Sequence, residues 1–132
     1  MAADLKPGDE LPELRVTPDA GLTRRYAEAS GDMNPIHIDE DFAKQVGLPG
    51  CILHGLWSMA QVARAQAQVA DGDPRALKRL AVQFRGMGFP EQEIVVSSKV
   101  TGVDGDRITT ETIAVQGDRA IIKNATAELE LV

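Results

Sequence analysis

Leu56-Trp57-Ser58-Met59-Ala60-Gln61-Val62-Ala63-Arg64-Ala65-Gln66-Ala67-Gln68-Val69 is the stretch on which the fold turns. Its apolar residues recur at helical spacing, so one long helix is predicted from Leu56 to about Val69. Ala60, Ala63, Ala65, Ala67 and Ala70, with Met59 and Val62, put small side chains on most sides. That pattern predicts a helix wrapped closely by other structure. Asp71-Gly72-Asp73-Pro74 ends it. Beyond Lys78 the texture is β, with strands predicted at Leu80–Phe84, Ile94–Val103, Arg107–Val115 and Ala120–Leu131. Asp104-Gly105-Asp106 and Gly117-Asp118 have hairpin-turn composition.

Upstream, Lys6-Pro7-Gly8-Asp9-Glu10 reads as a turn and Leu11–Val16 as a first strand. Thr17-Pro18 predicts an N-cap followed by proline at the first helical position. A short helix is then expected from Asp19 to Ala29, with Leu22, Tyr26 and Ala29 as its apolar stripe, ending at Ser30-Gly31. Asp39 is placed to cap a second short helix with stripe Phe42, Ala43 and Val46, stopped by Gly47. Helices in the first half, strands in the second and one strand at the start make an α+β chain. Its sheet is antiparallel, of about five strands, with helices on one face. The remaining sheet edge predicts pairing with a second copy.

The chain has 132 residues, 43% hydrophobic and 26% charged, and is read as one globular domain over 1–132. A net charge of -6 argues against a general nucleic-acid binder. It leaves room for a phosphate-bearing ligand, because a few arginines make a local positive mouth. Cys51 is the only cysteine, which excludes an internal disulfide and fits a reducing compartment. The start, Met1-Ala2-Ala3-Asp4-Leu5-Lys6, has no apolar signal core, and no window reaches membrane-span length. A cytoplasmic protein is expected.

The chemistry is concentrated in Gly31-Asp32-Met33-Asn34-Pro35-Ile36-His37. An aspartate and an imidazole five positions apart, with proline stiffening the turn between them, can share one water and move its proton. Asn34 precedes proline and is therefore pushed to extended backbone. The plainer alternative is that Asp32 and Asn34 cap the turn while His37 packs at the core edge. His54-Gly55 stands where a loop enters the long helix. The Gly55 amide is then an unpaired helix-terminal donor suited to a developing oxyanion, or else the glycine serves only the turn. Asp32, His37, Asp39 and His54 lack a recognised metal-ligand spacing, so no metal is predicted. Cys51 and Ser58 lack a base at a telling spacing and are not predicted nucleophiles.

Tyr26-Ala27-Glu28-Ala29-Ser30-Gly31-Asp32-Met33-Asn34-Pro35-Ile36-His37-Ile38-Asp39, followed by Phe42-Ala43, resembles the signature of the MaoC-like (R)-specific enoyl-CoA hydratase family. His54-Gly55-Leu56 is similar to the family's second element. The resemblance implies a hotdog fold, with the sheet wrapped around the long helix. It further implies reversible hydration of trans-2-enoyl thioesters, on CoA or acyl carrier protein, to (R)-3-hydroxyacyl thioesters. Asp32 and His37 would be the catalytic dyad, Gly55 the oxyanion donor and Asn34 the residue orienting loop or water. Neither cofactor nor metal is implied. A homodimer is implied, with a heterodimer as the alternative, and no nucleic-acid or membrane partner. Arg64, Arg79, Arg85 and Lys123 are candidates to meet the thioester's phosphates, against an ordinary surface role. Where the family often carries a Pro-Val-X-Pro-Gly-Asp-like turn, this chain reads Gly86-Met87-Gly88-Phe89-Pro90-Glu91-Gln92, a departure expected to reshape the pocket mouth. The rival readings are an acyl-CoA thioesterase and one subunit of a heteromeric dehydratase.

Overall fold

The structure, a computed structural model, describes residues 4–131. Residues 1–3, where the stretch weighed as a leader begins, lie outside the described residues. Five strands form one antiparallel sheet: β1 (Leu14–Val16), β2 (Leu77–Phe84), β3 (Ile94–Asp104), β4 (Arg107–Gln116) and β5 (Arg119–Glu130). Their order across the sheet is β1-β3-β4-β5-β2, so β1 and β2 are the two edges. The three helices are α1 (Leu22–Ser30), α2 (Glu40–Gln45) and α3 (Gly55–Ala67), the last continued by a 3-10 turn to Ala70. This is the α+β hotdog arrangement, a sheet curled around α3.

Alternation along the strands decides what faces α3. Ile94, Val96, Ser98 and Val100 of β3 are buried, as are Ile108, Thr110, Thr112 and Ala114 of β4. On β5 the alternation slips: Ile121 and Ile122 are both buried, and pairing shifts register near Ala114. Asn124 has φ 50° there, the irregular backbone that a bulge needs. Val62 and Ala65 of α3 pack with Leu14, Leu53, Ile94, Val96, Ile121 and Ile122 in the main core. Aromatics contribute little, so small helix side chains let the sheet come close.

One fully buried polar residue ties helix to sheet. Gln66 Nε2 donates to Thr112 Oγ1 (2.7 Å) and Ser98 Oγ (3.0 Å), while its Oε1 accepts from Thr110 Oγ1 (2.6 Å). Every side-chain polar group in this cluster is satisfied, as burial requires.

Several expectations need correction. Thr17-Pro18 does not open α1. Asp19 instead accepts Gly21 N–H with its side chain (2.9 Å) and Leu22 N–H with its carbonyl (3.2 Å), a turn that delays the helix to Leu22. Pro18 is buried, and its carbonyl accepts from Glu91 N–H. The buried face of α1 is Thr23 and Ala27, whereas Ala29 is exposed; Val46 is likewise exposed beside α2. The long helix is not covered on every side. Leu56, Ala60 and Arg64, one turn apart, form an open stripe. Strand β1 is also shorter than Leu11–Val16, Glu10 making only an isolated bridge to Lys99. Asp39 does cap α2, accepting Phe42 N–H at 3.0 Å. Among the described residues no helix is long and apolar enough to cross a membrane.

Candidate active site

Helix α1 stops because Gly31 takes φ 83°, a conformation that costs glycine little, and its N–H closes on Ala27 O (2.9 Å). The chain then turns through residues 32–37. Asp32 Oδ1 accepts Asn34 N–H and Asn34 Oδ1 accepts Ile36 N–H, both at 3.2 Å. Asn34 is extended, as its place before Pro35 predicts, and caps the 3-10 turn Pro35–His37. Asn34 thus caps the turn that carries His37.

This turn brings Asp32 and His37 together. His37 Nε2 lies 3.9 Å from Asp32 Oδ2, too long for a direct hydrogen bond and short enough for one water to touch both. His37 is buried while the Asp32 side chain is 55% exposed, so the pair spans the boundary between core and solvent. The ring orientation of His37 is set from behind. Its Nδ1 faces Ile52 O at 2.7 Å, and a carbonyl only accepts. Nδ1 therefore carries the hydrogen, and in the neutral ring Nε2 presents a lone pair toward Asp32.

His54 lies beside them as the residue before α3. Its ring stacks on His37, centroids 3.8 Å apart and planes 20° apart, and Tyr26 packs near it at 4.8 Å. Its Nε2 is 3.1 Å from the backbone carbonyl of Asp32. Burial pushes its pKa below the usual imidazole value, and the bond to the Asp32 carbonyl only partly opposes this. The shift favours the uncharged ring at neutral pH. Gly55 begins α3, where its N–H has no acceptor within the helix and the helix dipole favours negative charge.

His37 and Gly55 both line a cavity of about 190 Å³, together with Leu53, Phe84, Met87 and Ile121 among others. Gly86 and Gly88 form part of its wall, and both are tight: a Cβ would come within 2.8 Å of Ala120 O at the first and 2.9 Å of Leu53 Cδ1 at the second. Gly86, Met87 and Gly88 therefore stand in the wall of this cavity. Two larger grooves, one lined by Arg24, Glu28, Glu40 and Arg119 and one by Glu10, Lys99, Glu111 and Lys123, contain neither Asp32 nor His37. Lys123 is thus on another face. Arg64 donates to Gln61, Arg79 pairs with Glu128 and Arg85 donates to Gln83. Asp32, His37 and His54 each bring one ligand-type atom within 4.8 Å of the others, while Asp39 is engaged in capping α2. Cys51 is buried, and burial together with Glu40 and Asp39 pushes its thiol pKa up, the reverse of an activated nucleophile.

A family model described as "MaoC like domain" matches residues 6–124. The chain belongs to the MaoC-like domain family. A solved MaoC-like dehydratase is 31% identical over 99% of this chain and 42% of its own, with a TM-score of 0.92. The peroxisomal enoyl-CoA hydratase 2 of Arabidopsis thaliana is 36% identical over 92 residues, 69% of this chain and 29% of that protein. An (R)-hydratase from A. caviae involved in PHA biosynthesis superposes at a TM-score of 0.87 over 98% of both chains, at 21% identity, a likeness of fold. This MaoC-like chain spans less than a third of the length of the curated relatives it matches, between 4% and 29%. Phe84 in the cavity wall, the contact of Tyr26 with His54 and the bridging place of His54 were missed by sequence reasoning, which reached the wall only at Gly86-Met87-Gly88.

Proposed function

We propose that this protein hydrates trans-2-enoyl thioesters, carried on CoA or acyl carrier protein, to (R)-3-hydroxyacyl thioesters and runs the reverse dehydration. The observation that carries the proposal is the one-water gap between Asp32 Oδ2 and His37 Nε2, beside a cavity opened by the first amide of α3. With the thioester carbonyl at the Gly55 N–H, negative charge developing on its oxygen is stabilised and C3 becomes electrophilic. Loss of such a donor typically costs about 10²–10³ in rate. A water donating to the Asp32 carboxylate and to His37 Nε2 keeps an oxygen lone pair for C3. The pair takes a proton from that water as the C3–O bond forms. It then returns a proton to C2 on the same face, so one water adds across the double bond. Both groups enter as acceptors, which makes the attacking water the source of the C2 proton. Asn34 holds the turn in which this geometry exists. The scheme requires no metal or redox cofactor.

The working unit we propose is a single domain over 1–132 acting as a homodimer. Edge strand β2 has a free side, and beside it Leu56, Phe84 and Met87 are 66%, 53% and 43% exposed. Large apolar side chains clustered next to the free side of an edge strand support burial by a second copy. Arg85, adjoining Phe84 and Gly86 at the cavity, is the proposed phosphate contact among the four candidate cations. A lone cysteine with a raised pKa fits a reducing, cytoplasmic setting.

Incubation with crotonyl-CoA tests the reading. The expected product is heavier by one water with its thioester intact and the R configuration at C3. Release of free CoA thiol without hydration would show a thioesterase instead. No product of either kind would end the proposal.

A further inference from the structure

His54 is 2% exposed, and it meets the Asp32 carbonyl and the His37 ring and precedes Gly55 without lining the cavity. Resting on the dyad reading above, we propose that His54 is a positioning residue, holding Asp32 by its Nε2 hydrogen and His37 by the face of its ring.

Three observations carry this. The partner of Nε2 is a carbonyl, so Nε2 must donate, and the bond fixes the peptide of Asp32 itself. The Asp32 side chain leaves the same residue toward His37, so movement of that peptide moves Oδ2. The parallel stack at 3.8 Å fixes the plane of His37, a restraint that its single bond to Ile52 O does not supply. Finally, His54 Nδ1 is buried and has no hydrogen-bond partner. Burying such a nitrogen is unfavourable, and an apolar ring of similar shape would fill the space without that cost. A residue chosen for packing alone would not be histidine. Because His54 directly precedes Gly55, the same residue links the Asp32 turn, the His37 ring and the first amide of α3.

Two variants of the full chain separate positioning from packing. His54→Phe keeps a ring to stack but loses the donor. His54→Gln loses the ring but carries an amide nitrogen able to reach the place of Nε2. With crotonyl-CoA, His54→Phe is expected to lose about tenfold or more in kcat with KM changed less than about twofold, as small misplacements of reacting groups do. His54→Gln, which restores the donor to the Asp32 carbonyl but not the stack on His37, is expected to recover part of that loss. Equal losses in both variants in step with lowered melting midpoints, or full kcat in His54→Phe, would overturn the proposal. Asp32→Asn and His37→Ala serve as controls: if these retain turnover, the dyad reading has failed, whereas dead controls beside an unimpaired His54→Phe sink only the positioning role. Imidazole ¹⁵N spectra give a readout independent of substrate. The His37 signals should stay near wild type in His54→Phe, which keeps the stacked ring, and move or broaden in His54→Gln, which loses it; signals unmoved in His54→Gln would overturn the stacking part of the assignment.

Discussion

Burial of His54 leaves an imprint on stability. The folded protein holds this imidazole below its ordinary pKa, chiefly by desolvation, with His37 lowering it further and Asp32 opposing. The unfolded chain therefore takes up this proton more readily, so the stabilising contribution is complete above the unfolded pKa of about 6.5. It is lost as pH falls from there toward the lower folded value. Calorimetry between pH 7 and pH 5 should show the melting midpoint falling with acid, and a shallower fall in His54→Phe. The same slope in both proteins would show that other groups cause it. Asp32 and His37 were legible in the sequence because the turn that joins them is local. The link from His54 to Asp32 was not, since it closes across 22 residues and depends on where α3 begins in space.

Helix α3 shows how an element is specified by more than its apolar pattern. Its extent was legible from composition, yet its tightest attachment to the sheet is polar. Replacing Gln66 by Ala strips partners from Ser98, Thr110 and Thr112, all of them buried. Unsatisfied buried groups and the lost side-chain volume together predict a destabilisation of about 2–4 kcal/mol. Urea unfolding should show a lower midpoint at unchanged slope. A midpoint within error of wild type would mean that water or repacking replaces the network. The start of α1 was misread for a related reason: Asp19 competes for the same backbone donors as a threonine cap, and only the fold decides which turn wins. Strand β5 hid its bulge because consecutive isoleucines give no alternation to read.

At the scale of the whole molecule, the free side of an edge strand and an exposed apolar cluster lie together beside the candidate site. The open stripe Leu56, Ala60 and Arg64 corrects the picture of a fully wrapped helix and lies on the side assigned to the second copy in the proposed dimer. Sedimentation should give a dimer for the wild-type chain. Leu56→Asp should shift it toward monomer and weaken hydration together with association; a monomeric wild type of full activity would refute the proposed assembly. The sheet order was legible in outline, since hairpin turns mark β3, β4 and β5 as neighbours. The placement of β1 and β2 at the edges was not, because long-range pairing leaves no local mark.

The central claim is that Asp32 and His37 act on one water. Its most direct test is the turnover of crotonyl-CoA by folded Asp32→Asn and His37→Ala proteins of unchanged assembly. A loss of about 10²–10⁴ in kcat is expected for each. Hydration at the wild-type rate by either variant would contradict it.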